Sequence, residues 1–528
     1  MAESLSNGPF DIIVVGAGSA GCVVARRLVD QGANVLLLEA GGPATNPAID
    51  DPLRFGELWF GEQDWAYLTT PQQHAAGRRL HWPRGRVLGG SSALNALIYA
   101  RGAALDYDHW AYLGNDGWSW RDVLPVFRSI EDYDTGADDL HGSGGPLPVL
   151  TKYEADPIHE ALIQAAQETG IPCQADYNSG SPEGISKIQF TIADGRRCSA
   201  AAAYLDPVAH LPGLTVVTGA RVRRVLLRGS RCVGVEWLRE GHAEQATAGA
   251  EVVISAGAIE SPRLLMLSGI GPTAELRSLG IDPVAHLPGV GQNLHDHVLA
   301  PVIFGTERPV GRPSPGLGPA QTHLFWHSRP GLPVPDLQPL HFPVPMYQPG
   351  MTGPRNGFTL QAGIVRPTAR GSIRLTGARP EDELLIDPGT LRTGADLDSL
   401  AAAAVLCRNI GRSSVLREEW GALELYPGPD VGEAADDTEL RDYLRATVTT
   451  YHHPSGTCKM GVTADAVVDP RLRVYGIEGL RVADASVFPA ITTGNTHAPA
   501  LLVGEQISRF IAADHGTAWA NRDAGPAA

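Results

Sequence analysis

At 528 residues the chain is too long for one compact core and, at roughly 150 residues per domain, is expected to fold as two or three. Its 43% hydrophobic and 19% charged content, with a mean hydropathy of -0.08, argues against disordered, fibrous and membrane-spanning classes. A formal charge of -16, with no run of Lys and Arg among aromatics, repels phosphate backbones and removes nucleic acid from the expected partners.

The opening "MAESLSNGPFDIIVVG" lacks the basic region and apolar core of a secretory signal, so a cytoplasmic location is expected. Phe10 to Val15, apolar but for Asp11 and rich in β-branched residues, has the pattern of a strand buried on both faces of a parallel sheet. Gly16-Ala17-Gly18-Ser19-Ala20-Gly21 follows, and a helix is predicted from Ser19 to about Gln31. In a dinucleotide-binding unit Gly16 makes the tight turn, Gly18 lets the backbone approach a pyrophosphate, and Gly21 lets the helix pack on the strand. The helix aims its amino-terminal amides and dipole at the phosphates. A second buried strand, Asn34 to Leu38, ends at Glu39, where a carboxylate can bind both ribose hydroxyls. The pattern predicts an ADP-containing dinucleotide and leaves NAD and FAD both open.

A chain using NAD in a double unit would continue with a second mononucleotide-binding half. Instead "HWPRGRVLGGSSALNALIYARG", His81 to Gly102, reads as a loop entering a helix beside a flat ligand, or more simply as a turn with a helix N-cap. Residues 309–349 hold 11 prolines, with Phe325, Trp326, Phe342 and Tyr347 among them. They read either as a stiff irregular loop over a pocket mouth or as an ordinary surface loop. Six cysteines (Cys22, Cys173, Cys198, Cys232, Cys407, Cys458) form no C-x-x-C pair and are expected to be buried thiols. Trp65 is expected in the core, and the tail from about residue 516 is expected to be frayed.

Six segments, in order, resemble the glucose–methanol–choline (GMC) family of flavin-dependent alcohol oxidoreductases. They are "VVGAGSAGCVVARRL…LLLEAG", "GRVLGGSSALN", "ISAGAIESPRLLMLSGIGP", "LPGVGQNLHDH", "YHHPSGTCKMG" and "GLRVADASVFP…GNTHAPALLVGE". The resemblance implies an α/β, Rossmann-like FAD domain, of the kind also found in p-hydroxybenzoate hydroxylase, built from residues 1–155, 196–300 and 452–515. An α+β substrate domain of 156–195 and 301–451 would carry an antiparallel sheet, including "GSIRLTG", roofing the flavin. A flexible tail would follow from 516 to 528.

Carried over by position, Glu39 and Ala40 would hold the adenosine ribose, and the backbone of Val222 would meet the adenine. Val87, Gly90, Asn95, Ala96, Leu97 and Ile98 would lie along the isoalloxazine. Asp484 and Ala485 would close on the ribityl region. The helix starting near Thr496 or His497, with Pro499 in its first turn, would point backbone amides at the flavin N1–C2 carbonyl, where charge develops on reduction. Some family members attach FAD through a histidine directly before the Asn; here that position is Leu94, so FAD is expected to be non-covalent.

The resemblance makes His453 the principal base and His497 its partner in orienting the alkoxide or sharing the proton. Imidazole suits the task because its ordinary pKa near 6.5 leaves it largely neutral at pH 7. His452 reads as pocket wall. His295 and His297 read as a structural anchor with Asp296 rather than as metal ligands, and no metal is expected. Choline-oxidising relatives carry a carboxylate two residues past "DH". Here Leu299 stands there, so a neutral benzylic, furanic or aliphatic primary alcohol is favoured, with sugars and polyols still open. O2 or another acceptor would reoxidise the flavin, in a monomer or homodimer. A hydroxynitrile lyase, an NAD-linked dehydrogenase and a non-catalytic flavin scaffold are the rival readings.

Overall fold

The computed structural model describes residues 10–432 and 434–520. The run Phe10–Val15 forms the expected strand, and the glycine loop enters a helix, Ser19–Val29, that ends before Gln31 because Gly32 turns the chain at φ +86. Val35–Leu38 is the second strand and pairs with the first in parallel. Leu214–Val217 joins on one side, and on the other come the carboxyl half of His242–Ile254 and then Leu480–Val482, all parallel. The amino half of His242–Ile254 leaves this layer and pairs antiparallel with Arg231–Arg239, which pairs in turn with Arg221–Arg228. Ser19–Val29 and the long carboxyl-terminal helix His497–Ala520 pack against each other in the same core.

The second sheet is antiparallel, in the order Leu423–Tyr426, Val298–Gly305, Gly357–Ile364, Leu340–Phe342, Thr322–Phe325, Gly184–Lys187. The short strand Thr449–Thr450 pairs with the start of Val298–Gly305. Alternation along these strands sends Val298, Ala300, Val302, Leu360 and Ala362 into a second core with helix Gly394–Gly411. The other face, with Leu299 and Leu340, turns toward the first unit.

Several expectations are corrected by long-range packing. Val298–Gly305 belongs wholly to the antiparallel sheet, so the first unit stops short of residue 300. "GSIRLTG" does not join the roof. Ser372–Leu375 pairs only with Leu384–Asp387, and Ile373, Leu375 and Ile386 pack into the first core beside helix Gly257–Leu267. The Gly89–Gly90 segment makes a single 3-10 turn, Gly90–Ala93, instead of leading into a helix. Gly89 and Gly90 have φ of +92 and +54, and the Asn95 side chain accepts the Leu97 N–H, a local bond that competes with helix formation.

The proline-rich stretch contributes two strands to the sheet, and Leu340 and Phe342 of the second, with Pro345 to Pro349, line the cavity. Helix His497–Ala520 runs through the first five residues expected to fray. Ion pairs of Arg27 with Glu505 and of Arg481 with Asp514 tie it down, and 521–528 lie outside the described residues. All six cysteines are free, but Cys173 is exposed and Cys198 half-buried. Among the described residues no helix is long and apolar enough to cross a membrane, and no group of acidic, His or Cys side chains is arranged to hold a metal.

Candidate active site

In the parallel sheet Val15 lies beside both Leu38 and Ile254, and Ile254 beside Val482, so four strands end level with one another. Open α/β sheets bind ligands outside such carboxyl ends. Here the residues that follow, Gly16, Glu39, Ser255 and Asp484, all line one cavity of about 940 Å³, large enough for an extended ligand.

At one end of the cavity the glycine loop behaves as a phosphate cradle. A Cβ on Gly16 would stand 2.5 Å from the Ser255 carbonyl oxygen, and one on Gly21 would overlap the Gly16 carbonyl, so both glycines serve chain packing. A Cβ on Gly18 would meet no atom within 4 Å, because its Cα faces the open cavity. Ser19 and Ala20 open the helix at that point and also line it. Glu39 Oε2 accepts the Ala17 N–H (2.9 Å) and Oε1 the Gly41 N–H (2.8 Å); burial pushes the carboxyl up to about 7. Ala40 and Val222 complete this end. An open strip of backbone at Gly18, with a carboxylate beyond it, suits a pyrophosphate and a ribose, so the residues fit a dinucleotide.

At the other end His453 enters the cavity from the turn after Thr449–Thr450. Asp296 braces that turn, accepting the His453 N–H (2.7 Å) on Oδ1 and the Thr450 hydroxyl on Oδ2. Burial pushes this carboxyl up to about 7. His453 Nδ1 lies 3.0 Å from His297 Nδ1, and its Nε2 lies 3.3 Å from Asn495 Nδ2. Asn495 Oδ1 accepts from Gln338 Nε2 (3.1 Å), which turns the Asn495 NH₂ toward His453. With the amide so placed, His453 Nε2 is an acceptor, and the proton sits on Nδ1, donated to His297. Burial, with His297, His452 and Arg84 as further causes, holds His453 well below the usual imidazole range and therefore neutral.

His497 begins the last helix. Its Nδ1 lies 2.9 Å from Ser19 Oγ, while its buried Nε2 has no partner in the protein. Burial pushes it down to about 4. His452, at φ +68, packs edge-on against Trp59 (5.1 Å) and accepts Arg84 Nη2 on its carbonyl (2.6 Å), the setting of a wall residue. His295 contributes a two-way backbone bridge to Ser455.

Gly90, Asn95, Ala96, Ile98, Leu299, Asp484, Ala485 and Thr496 also line the cavity. Val87, Leu97, Gly21 and Pro499 do not. Val87 packs with Ala48, Ile49 and Leu58 behind the wall, and Leu97, at φ +66, lies in the apolar layer under Phe342. Pro499 is buried in the first turn of its helix, and Ala500 reaches the cavity in its place. Trp65 is a half-buried wall residue flanked by the guanidinium groups of Arg86 and Arg221. Sequence reading overlooked Asn495, Gln338, Tyr451 and Gln361. Only Tyr451 and Asn495 carried a local signal, as parts of "YHHPSG" and "GNTH".

The family model described as GMC oxidoreductase matches residues 10–299 with its amino-terminal part and 367–504 with its carboxyl-terminal part. The mitochondrial choline dehydrogenase of Homo sapiens is 38% identical, over 97% of this chain and 91% of that protein. The crystal structure of pyridoxine 4-oxidase from Mesorbium loti superimposes with a TM-score of 0.90 at 38% identity, covering 95% of this chain and 98% of that one. A formate oxidase of Aspergillus oryzae, studied for modification of its FAD, gives 0.88 at 27% identity, covering 96% and 99%.

Proposed function

The chain belongs to the GMC oxidoreductase family, and on that premise we propose that it is an FAD-dependent alcohol oxidoreductase that converts a neutral primary alcohol to its aldehyde. Gly16, Gly18, Ser19 and Ala20 would hold the pyrophosphate and Glu39 the ribose. Gly90, Asn95, Ala96 and Ile98 would face the ring system, with the amides at Thr496 and His497 toward its N1–C2 edge. Leu94 offers no nucleophile for a covalent link, so FAD is held by contacts alone. Bound FAD supplies, at N5, the acceptor for the hydride that leaves the alcohol carbon.

The chain's own residues manage the proton. His453 takes the hydroxyl proton on Nε2 once the substrate hydroxyl displaces the Asn495 amide from that lone pair, its other nitrogen being committed to His297. Asn495 Nδ2, 3.3 Å from His453 Nε2, is placed to hold the substrate oxygen in line, while His497, its Nδ1 on Ser19 beside the phosphate cradle, would present its unpartnered Nε2 to the cofactor instead of the alkoxide. The layer of Leu299, Leu340, Phe342 and Tyr451 excludes water. The observation that carries this reading is a neutral, oriented imidazole at the end of the cavity opposite Glu39. Choline is disfavoured. Among the described cavity residues the acids are Glu39, Glu260 and Asp484, and each is engaged, Glu260 by Tyr67 (2.5 Å) and Arg263 (2.9 Å). The likeness to a pyridoxine 4-oxidase supports a ring-bearing alcohol.

The test is an anaerobic screen of benzylic, furanic, aliphatic and sugar alcohols, and choline, against the visible absorption of the purified yellow protein. Repeating it with O2 and with an artificial acceptor identifies the oxidant. Bleaching by a benzylic or furanic alcohol is expected; a colourless protein, or bleaching by choline alone, overturns the proposal.

A further inference from the structure

Where the long strands of the second sheet line the cavity, Leu299, Leu340 and Phe342 are apolar and Gln361 is an amide. Antiparallel pairing sets Leu299 opposite Gly363, Pro301 opposite Gln361 and Leu340 opposite Gln361, so Leu299, Leu340, Phe342 and Gln361 share a face. Thr359, also on this face, is spent on the backbone of Val344 and Met346. Gln361 is 5% exposed, its Oε1 has no partner, and its Nε2 meets only the Met346 thioether at 3.4 Å. Tyr451, also 5% exposed and lining the same cavity, has an unpartnered hydroxyl. Its ring stacks on His453 with centroids 4.8 Å apart. Two buried polar groups left without partners in an apolar wall carry a desolvation cost that native structures rarely tolerate away from a ligand.

Thr449, in the short strand that leads into His453, lies two strands from Gln361 across the sheet and two residues along it. The backbone separation is therefore about 12 Å from strand spacings. With side chains reaching inward from both sides, that gap takes one six-membered ring.

We propose that Gln361, with the Tyr451 hydroxyl, is a second polar subsite that selects flat ring alcohols bearing another hydroxyl group on the far side of the ring from the reacting carbon. This rests on the alcohol oxidoreductase reading above. Gln361 Oε1 accepts the substituent's O–H, and Tyr451 bonds its oxygen. The hydroxyl that reacts stays with His453, so the subsite acts on which ring enters and how it is turned.

The experiment compares kcat/KM for 3- and 4-(hydroxymethyl)benzyl alcohol with that for benzyl alcohol, in the FAD-loaded wild type and in Gln361→Leu and Tyr451→Phe. A parallel arm compares inhibition by 3-methylphenol and toluene, neither of which carries a reacting hydroxymethyl group. Wild type is expected to prefer a diol by at least about tenfold, beyond the twofold that a symmetric diol gains statistically. It is also expected to bind the phenol more tightly than toluene. Gln361→Leu should bring both ratios to near two or below, and Tyr451→Phe should lower them in part. Equal handling of diol and monol by wild type, or a preference that survives both substitutions, overturns the subsite while leaving the alcohol oxidoreductase reading intact. Failure of every ring alcohol to bleach the flavin overturns both.

Discussion

Replacing His297 with leucine tests whether the base is set by its neighbour. His297 is fully buried, its Nε2 has no hydrogen-bond partner, and its ring stands edge-on to His453 with centroids 5.1 Å apart. Leucine roughly matches the ring in volume, so the main loss is the 3.0 Å contact between the two Nδ1 atoms. His453 then either keeps a buried, unpaired Nδ1–H or moves its proton to Nε2, where the Asn495 NH₂ at 3.3 Å opposes a second donor. An unpaired buried donor costs about 1–3 kcal/mol, so flavin reduction should slow by roughly five- to a hundredfold while FAD stays bound. Stopped-flow reduction by a saturating benzylic alcohol, without oxygen, reads this directly. The pH profile adds a second signature. His297 is one of the causes holding His453 down, so its removal should let the base titrate higher and move the acid limb of the profile toward pH 6.5. A rate within twofold of wild type with an unmoved acid limb would refute the tautomer argument.

His453→Ala removes the base itself and should slow flavin reduction by about 10²-fold or more at unchanged FAD content; near-normal reduction would remove His453 from the mechanism. Gly18→Val should give folded protein without yellow colour, because the new side chain enters open cavity rather than neighbouring atoms, whereas Gly21→Val, which collides with the Gly16 carbonyl, should fail to fold stably. Circular dichroism and absorbance at 450 nm, taken together, separate the two outcomes. Stability should fall on acidification. The imidazoles of His159 and His323, pushed down by burial to about 4 and about 3, stay neutral in the fold but protonate below 6.5 once unfolded. Each therefore withdraws up to about 1.4 kcal/mol per pH unit as pH drops from 6.5 toward 4. Asp296 and Glu39, raised to about 7, act in the opposite sense between pH 7 and 4 but are fewer than the buried histidines. Urea titrations at pH 7 and pH 5 should show the loss, and equal midpoints would contradict it.

Much of the first unit was legible in the sequence because its signals are local. Five apolar residues around Asp11, three glycines and one acid at fixed spacing specify a strand, a turn, a helix and a second strand before any other part of the chain is considered. His453, His497 and the Leu94 position were likewise readable from short motifs. The partners of those residues were not. His297 and His453 are 156 residues apart, and nothing near either one announces the contact. Asn495 gained its place beside the base from Gln338, and Gln361 became an unpartnered amide in the cavity wall only once the pairing register of Val298–Gly305 and Gly357–Ile364 was set.

The hairpin of residues 372–387 shows the same limit, since an amphipathic strand pattern does not say which of two cores will bury it. Sequence periodicity dictated which residues are inside and what shape each short segment takes. Tertiary structure decided which buried groups face one another, because that depends on sheet order and register, which are won by apolar packing summed over the whole chain rather than by any single segment.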